Sequence, residues 1–254
     1  MDKYINKIIN ADCLEFMQEI PDKSIDAIIC DLPYGTTACS WDVVIPFDKL
    51  WEQYKRIRKD NCPIVLFGSE PFSTYLRMSN IKEYKYDWYW LKERGTGFAN
   101  SNKQPMRRIE NICVFYKGQP FYNSQGKKLN KPYKHALPIY LSDSDRVYGS
   151  NNGDINNRKY MYYEYAKKNN VLEFSRKTKN SEHSTQKPVA LIEYLIKTYS
   201  NEGDLILDNC SGSGTLAIAC HNTKRNFICI EKNKDYYERS VERLENAKLQ
   251  QKLF

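Results

Sequence analysis

Leu205-Ile-Leu-Asp-Asn-Cys-Ser-Gly-Ser-Gly-Thr215 decides how this chain folds. Leu205, Ile206 and Leu207 form a short apolar run behind Gly203-Asp204, as a strand covered on both faces would. Gly212 and Gly214 follow, where a tight turn can bring backbone close to a ligand. Leu216-Ala-Ile-Ala-Cys220 then opens an apolar helix, and a second apolar strand, Phe227 to Ile230, ends in Glu231. Strand, glycine turn, helix, and strand with an acid at its tip make half of a nucleoside-binding α/β site. In such a site backbone wraps the polar tail and the acid accepts from ribose hydroxyls. The full three-glycine fingerprint is absent, so an ordinary strand-to-helix turn remains the plainer alternative for this stretch taken alone.

Working outward, strands and helices alternate. Ile5 to Ile9 suggests a first strand with Asp12 beyond its end, and Cys13 to Ile20 a helix. Ile25 to Cys30 is a strand that runs into Asp31-Leu-Pro-Tyr-Gly35. Phe47, Leu50, Trp51, Tyr54 and Ile57 have helical spacing. Ile64 to Phe67 is a buried strand, Pro71 to Met78 a short helix, and Tyr84 to Leu91 and Ile109 to Tyr116 are further strands. Val189, Ile192, Leu195, Ile196 and Tyr199 line one helical face behind Pro188, and a last helix starts near Asn233. This alternation predicts a doubly wound, mostly parallel α/β sheet, in which ligands sit at the C-terminal ends of strands. Asp12, Asp31, Gly68, Asp208 and Glu231 all fall at such ends.

The stretch 117–182 changes character. It is rich in Asn, Lys, Ser and Tyr, poor in periodic apolar residues, and carries thirteen Lys or Arg against six Asp or Glu. It reads as an insertion, either loop-rich or a small helical excursion, between a half at 1–116 and a half at 183–254. Most of the net charge of +8 sits there, which suits contact with a polyanion, nucleic acid being the commonest. Lys127, Lys128, Lys131 and Lys134 are candidate phosphate contacts, and Tyr162 and Tyr163 of the Tyr160–Tyr165 cluster are candidate base or backbone contacts; a solvated loop and a packed hairpin are the plainer alternatives. No apolar run approaches a membrane span, and the N-terminus has no apolar signal-peptide core. The eight Cys include no Cys-x-x-Cys pair, and the three His are far apart, so neither disulfides nor a metal site is expected; the usage suits a reducing, cytoplasmic setting.

Asp31-Leu-Pro-Tyr-Gly35 carries the chemistry. A carboxylate at a strand end accepts a hydrogen bond from an exocyclic amine, a carbonyl beside the rigid Pro33 accepts the second, and Tyr34 offers a face for stacking. A base held this way lies outside the duplex. Together with the Gly212/Gly214 turn, the motif resembles the Asp-Pro-Pro-Tyr of S-adenosylmethionine-dependent amino-methyltransferases. The catalytic motif comes first and the cofactor motif last, and His183-Ser-Thr-Gln-Lys-Pro188 precedes the cofactor strand. That permuted order resembles the beta class of DNA adenine-N6 and cytosine-N4 methyltransferases over residues 4–116 and 183–245. Leu32 stands where that family has its first proline, Ser184 replaces the proline after the histidine, and Cys210 and Ser211 replace bulkier apolar residues.

The resemblance implies a Rossmann-like methyltransferase fold with 117–182 as a target-recognition segment. It implies methyl transfer from S-adenosylmethionine to the N6 amine of a flipped-out adenine in double-stranded DNA. By motif, Asp31, the Leu32 carbonyl, Pro33 and Tyr34 would hold the amine. Asp208, Ser211, Gly212, Gly214 and Thr215 would surround the methionine part of the cofactor, and Thr185 and Lys187 would approach its carboxylate. Glu231 would bind the ribose, and Asp12 with Cys13 would meet the adenine of the cofactor. Asp at position 31 favours adenine, by resemblance; cytosine-N4 remains the alternative. The sequence has no Pro-Cys pair, which argues against carbon-5 methylation through a thiolate. Members of the class are often dimers, so a homodimer is one arrangement the resemblance allows, and some belong to restriction-modification systems. RNA or protein amide methylation, and a non-catalytic nucleic-acid-binding chain, are the other classes weighed.

Overall fold

The computed structural model describes residues 1–37, 42–136, 160–166, 169–175 and 186–251. They form two compact units, Met1–Asn123 with Asn170–Phe254, and Ser124–Asn169.

In chain order the strands are β1 (Lys7–Asn10), β2 (Ala27–Cys30), β3 (Ile64–Gly68), β4 (Tyr84–Thr96), β5 (Arg107–Phe115), β6 (Lys128–Ala136), β7 (Tyr160–Tyr165), β8 (Val171–Glu173), β9 (Leu205–Asp208) and β10 (Asn226–Glu231). The larger unit is built on an eight-stranded sheet in the order β1-β10-β9-β2-β3-β5-β4-β8. Pairing from β1 through β10, β9 and β2 to β3 is parallel. β5 runs antiparallel to both β3 and β4, and β8 pairs parallel with β4. The sheet is therefore mixed but mostly parallel. The registers Asn10↔Glu231, Cys229↔Asp208 and Ile28↔Leu207 put the C-terminal ends of four consecutive strands along one edge.

Both sheet faces are covered, which is why β2, β3 and β9 are buried throughout. The helices are α1 (Cys13–Phe16), α2 (Phe47–Ile57), α3 (Phe72–Ser79), α4 (Val189–Tyr199), α5 (Thr215–Thr223) and α6 (Lys234–Gln251). On one face, α4 and α5 pack Leu191, Leu195, Leu216 and Ala219 against Ile29, Val65 and Ile206, with Leu244 of α6 at the margin. On the other face lie α1, α2 and α3. Leu50, Trp51, Tyr54 and Ile57 of α2 bury at the spacing the sequence predicts, against Ile28, Cys30 and Leu66. Alternate residues of β2 thus serve opposite cores, as the two-residue period of a strand requires.

Three details differ from the sequence expectations. The α-helix predicted over 13–20 stops at Phe16 and tightens into a single 3-10 turn, Met17–Glu19, ahead of Pro21. Val171–Glu173 adds a strand to the main sheet, within the stretch read as insertion. The smaller unit is neither loop-rich nor helical where described: β6 pairs antiparallel with β7. β-branched residues and aliphatic periodicity are scarce there, and the strand propensity comes from tyrosine. Among the described residues no helix is long and apolar enough to cross a membrane.

Candidate active site

Because the parallel strands end along one edge, the polar residues that follow them converge there. A cavity of about 820 Å3 opens along that edge, walled by Asp12, Asp31, Tyr34, Asp208, Gly212 and Glu231. Its two ends differ in construction.

At one end, β2 delivers Asp31. The Lys187 ammonium donates to Asp31 Oδ2 at 2.6 Å, and the Tyr34 hydroxyl donates to Asp31 Oδ1 at 2.7 Å. Behind them, Glu110 of β5 pairs with Lys187 at 2.8 Å, accepts from Tyr34 at 3.2 Å and meets Lys92 of β4 at 3.5 Å. Two cations and two carboxylates so balance one another where water is scarce. Lys92, Lys187 and Glu110 are buried, while a third of the Asp31 side chain (34 %) remains exposed, toward the cavity it lines. Burial pushes the Asp31 carboxyl up, Lys187 opposes it, and Glu110 adds to the rise. Burial works against the Lys187 charge, but Asp31 and Glu110 outweigh it and raise the ammonium to about 12. Lys187 therefore stays charged and favours ionised Asp31, an acceptor facing the cavity.

Tyr34 stacks on Phe72 at 5.0 Å between ring centroids, so one ring face is already covered. Leu32 sends its side chain into the core, and Pro33 lines the cavity. The loop that follows is fastened by Asp42, whose carboxylate accepts from the Gly35, Thr36 and Thr37 backbone N–H groups and the Thr37 hydroxyl at 2.7–2.9 Å. Burial works to raise the Asp42 pKa, but these hydrogen bonds hold it below the ordinary value.

The other end is made of backbone. Glu231 accepts from Gly212 N at 2.7 Å and from Asn233 N at 2.8 Å, which locks the turn after β9 to the tip of β10. Gly212 has φ +50°, and a Cβ there would meet nothing within 4 Å, so the backbone stands open to the cavity. Gly214 has φ +73° and its missing Cβ would lie 2.9 Å from Ser240 Cβ, which lets α6 approach α5. Asp12 caps α1 through Leu14 N at 2.9 Å and pairs with Lys232 at 3.0 Å beside Glu231. Asp208 accepts from Cys210 N at 3.1 Å, and burial pushes its carboxyl up to about 7. Asn209 Oδ1 accepts from the buried Tyr54 hydroxyl at 2.5 Å. Ser211 Oγ is buried without a hydrogen-bond partner among the described residues.

The structure thus brings Asp12, Cys13, Asp31, Leu32, Pro33, Tyr34, Lys187, Asp208, Ser211, Gly212, Thr215 and Glu231 to one cavity, with Gly214 directly behind its wall. Lys187 lies at the Asp31 end, bonded to that carboxylate. Thr185, with His183 and Ser184, falls outside the described residues. Lys127, Lys128, Lys131 and Lys134 are exposed in the smaller unit, and Tyr162 and Tyr163 sit on β7 opposite Lys134 and Tyr133. Sequence reasoning misses Glu110, Lys92 and Asp42. A charged residue inside the apolar run from Ile109 to Phe115 is the available signal for Glu110; Asp42 offers none.

The open backbone at Gly212, the acid at the tip of β10 and the spare hydroxyl of Ser211 suit a nucleoside carrying a polar tail. The comparisons with known proteins agree. The type II methyltransferase M.HpaI of Haemophilus parainfluenzae is 27 % identical over 253 residues, covering 94 % of this chain and 74 % of that protein. In fold, the chain is similar to M1.HpyAVI, solved as a complex with SAM: TM-score 0.61, 24 % identity, 94 % of this chain and 98 % of that one. It is also similar to the PvuII cytosine-N4-specific DNA methyltransferase: TM-score 0.66, 14 % identity, 95 % and 90 %. The N6/N4 DNA methylase family matches residues 25–242. The chain belongs to that family, the DNA amino-methyltransferases that take their methyl group from S-adenosylmethionine.

Proposed function

We propose that this enzyme methylates the exocyclic N6 amine of an adenine turned out of double-stranded DNA. The observation that carries the proposal is the Asp31 carboxylate, held by Lys187 and Tyr34 and facing the cavity. When bound, S-adenosylmethionine supplies an electrophilic methyl group on a sulfonium. Gly212, Ser211, Asp208, Glu231 and Asp12 are the residues that would hold it, at the end of the cavity away from Glu110.

The chain's own contribution is positioning and electrostatics. Each Asp31 oxygen spends one acceptor site on Lys187 or Tyr34 and keeps another for an amine N–H. With the Leu32 carbonyl taking the second N–H, the nitrogen lone pair is left free of hydrogen bonds. Asp31 is also the nearest base for the proton that the substituted nitrogen sheds. Lys187 limits how basic Asp31 becomes, so that proton passes on to water. Adenine is preferred over cytosine because the motif opens with Asp, by resemblance to the adenine-N6 enzymes. The likeness to M.HpaI, named a type II methyltransferase, supports a methyltransferase reading of this site.

The test is transfer from labelled S-adenosylmethionine to unmethylated genomic DNA, followed by nucleoside analysis. Labelled N6-methyladenine is the expected product. Labelled N4-methylcytosine would overturn the base assignment, and label in RNA or protein alone would overturn the DNA substrate.

A further inference from the structure

β4 and β5 run past the sheet edge as a long hairpin, with a register irregularity between Leu91 and Thr96. Thr96 and Arg107, the last pair before its tip, line the cavity. Beyond them a left-handed Gly97 turns the chain into a short 3-10 helix, Phe98–Asn100. There the surface is unusual. Phe98 is 81 % exposed, and Met106 (43 %) and Ile109 (52 %) lie on the return strand or just before it. From Glu93 to Ile109 the segment carries Arg94, Lys103, Arg107 and Arg108 against one carboxylate. Arg107 donates at 3.3 Å to the carbonyl of Glu70, just beyond β3, which straps the hairpin to the body of the sheet, and Arg108 donates to the Lys92 carbonyl at 3.2 Å, across the hairpin itself.

A flat aromatic side chain presented to solvent by a strapped, cationic hairpin, at the mouth of a cavity meant for a base, has a specific use. Cations attract the phosphates on either side of a base pair, and an apolar wedge fills the stack from which a base has left. We propose that the β4–β5 tip grips the duplex, with Arg94 and Lys103 on phosphates and Phe98 inserted where the target base was. The inference rests on the base-extrusion reading above. Charge decides the occupant: four cations around the apolar patch suit a polyanion better than a second, equally basic copy of this chain.

The test uses the full chain and duplex oligonucleotides carrying the sequence found modified in genomic DNA. One has the target base paired; the other places it opposite an abasic site, where it is already free to leave the stack. Phe98→Ala is expected to lower transfer to the paired duplex about tenfold or more and to recover most of it on the abasic duplex. A purely structural effect would lower both alike, and equal, wild-type rates on both would overturn the wedge. In the second arm, Arg94→Ala with Lys103→Ala should weaken binding to a random-sequence duplex and reduce the salt slope by about 0.9 for each lost phosphate contact. An unchanged slope would overturn the grip. If Phe98→Ala instead converts a dimer to a monomer in sedimentation and keeps the wild-type ratio between the duplexes, the patch belongs to a second copy and the proposal fails. A wild-type protein that labels no DNA would remove the underlying reading, an outcome separate from any of these.

Discussion

The two ends of the cavity are built by opposite means. The Glu231 end is local: its turn, its left-handed glycines and its acid come from two short stretches, residues 208–215 and 231–233, joined by backbone N–H groups. The Asp31 end is assembled from β2, β4, β5 and the residue before Pro188, and side chains hold it together. A backbone cradle tolerates side-chain change at most positions but not at its glycines. A charge cluster tolerates backbone variation but not the loss of one ion, because each buried charge is balanced by the others. The two ends should therefore fail differently when altered.

The largest effect is expected at the side-chain end. Lys187→Met leaves Asp31 and Glu110 as neighbouring carboxylates with Lys92, among the described residues, as the cation still paired to Glu110. Methyl transfer should fall at least about a hundredfold, and the acid limb of kcat/KM should move to higher pH, since a group that held Asp31 ionised is gone. An unshifted limb would separate Lys187 from Asp31. Glu110→Gln is expected to move the same limb to lower pH, because the Glu110 charge raises Asp31.

At the backbone end, Gly214→Ala should cost stability, about 1–3 kcal/mol, as a left-handed residue whose Cβ would crowd Ser240. Gly212→Ala shares the positive φ but meets no atom, so a thermal melt should record a smaller loss, about 1 kcal/mol. Cofactor affinity, measured by calorimetry, should rank the pair in reverse if Gly212 faces the ligand. Equal affinities would show that the cradle lies elsewhere.

A last effect, on the pH dependence of stability rather than on catalysis, concerns Asp208, whose carboxyl is raised from the ordinary 3.8 to about 7 by burial. Its protonated form favours the folded state, so this contribution is complete below pH 4 and is lost as pH rises through 7. Asp208→Asn, which keeps the acceptor for Cys210 N, should melt progressively higher than wild type as pH climbs from 4 to 7, with the gap constant above. A pH-independent difference would contradict the assignment.

The same contrast explains what the sequence can tell. Glycine turns, strand-end acids and apolar runs are local patterns, so the sequence alone places Asp12, Asp31, Asp208 and Glu231 at strand ends, Gly212 and Gly214 in the turn after one, and the mostly parallel sheet with them. Glu110 meets Lys187 only because β5 pairs with β3, a contact with no signature in the sequence around either residue. The motif assigns Lys187 to the cofactor's carboxylate, yet its nearest anion in the structure is Asp31. Asp42 fastens the turn after Tyr34 from seven residues beyond Gly35, through hydrogen bonds that composition does not encode. The β6–β7 pairing shows in the sequence only as the packed hairpin weighed for Tyr160–Tyr165, because tyrosine and lysine, rather than alternating aliphatic residues, make up its strands.

The most direct test of the two-ended cavity is Asp31→Ala, assayed in parallel for S-adenosylmethionine binding by calorimetry and for methyl transfer to genomic DNA. Cofactor affinity within about threefold of wild type, with transfer abolished, is the expected result, since the hydrogen bonds that hold the cradle join Gly212, Glu231 and Asn233 and do not pass through Asp31. Retained transfer in that variant would contradict the account.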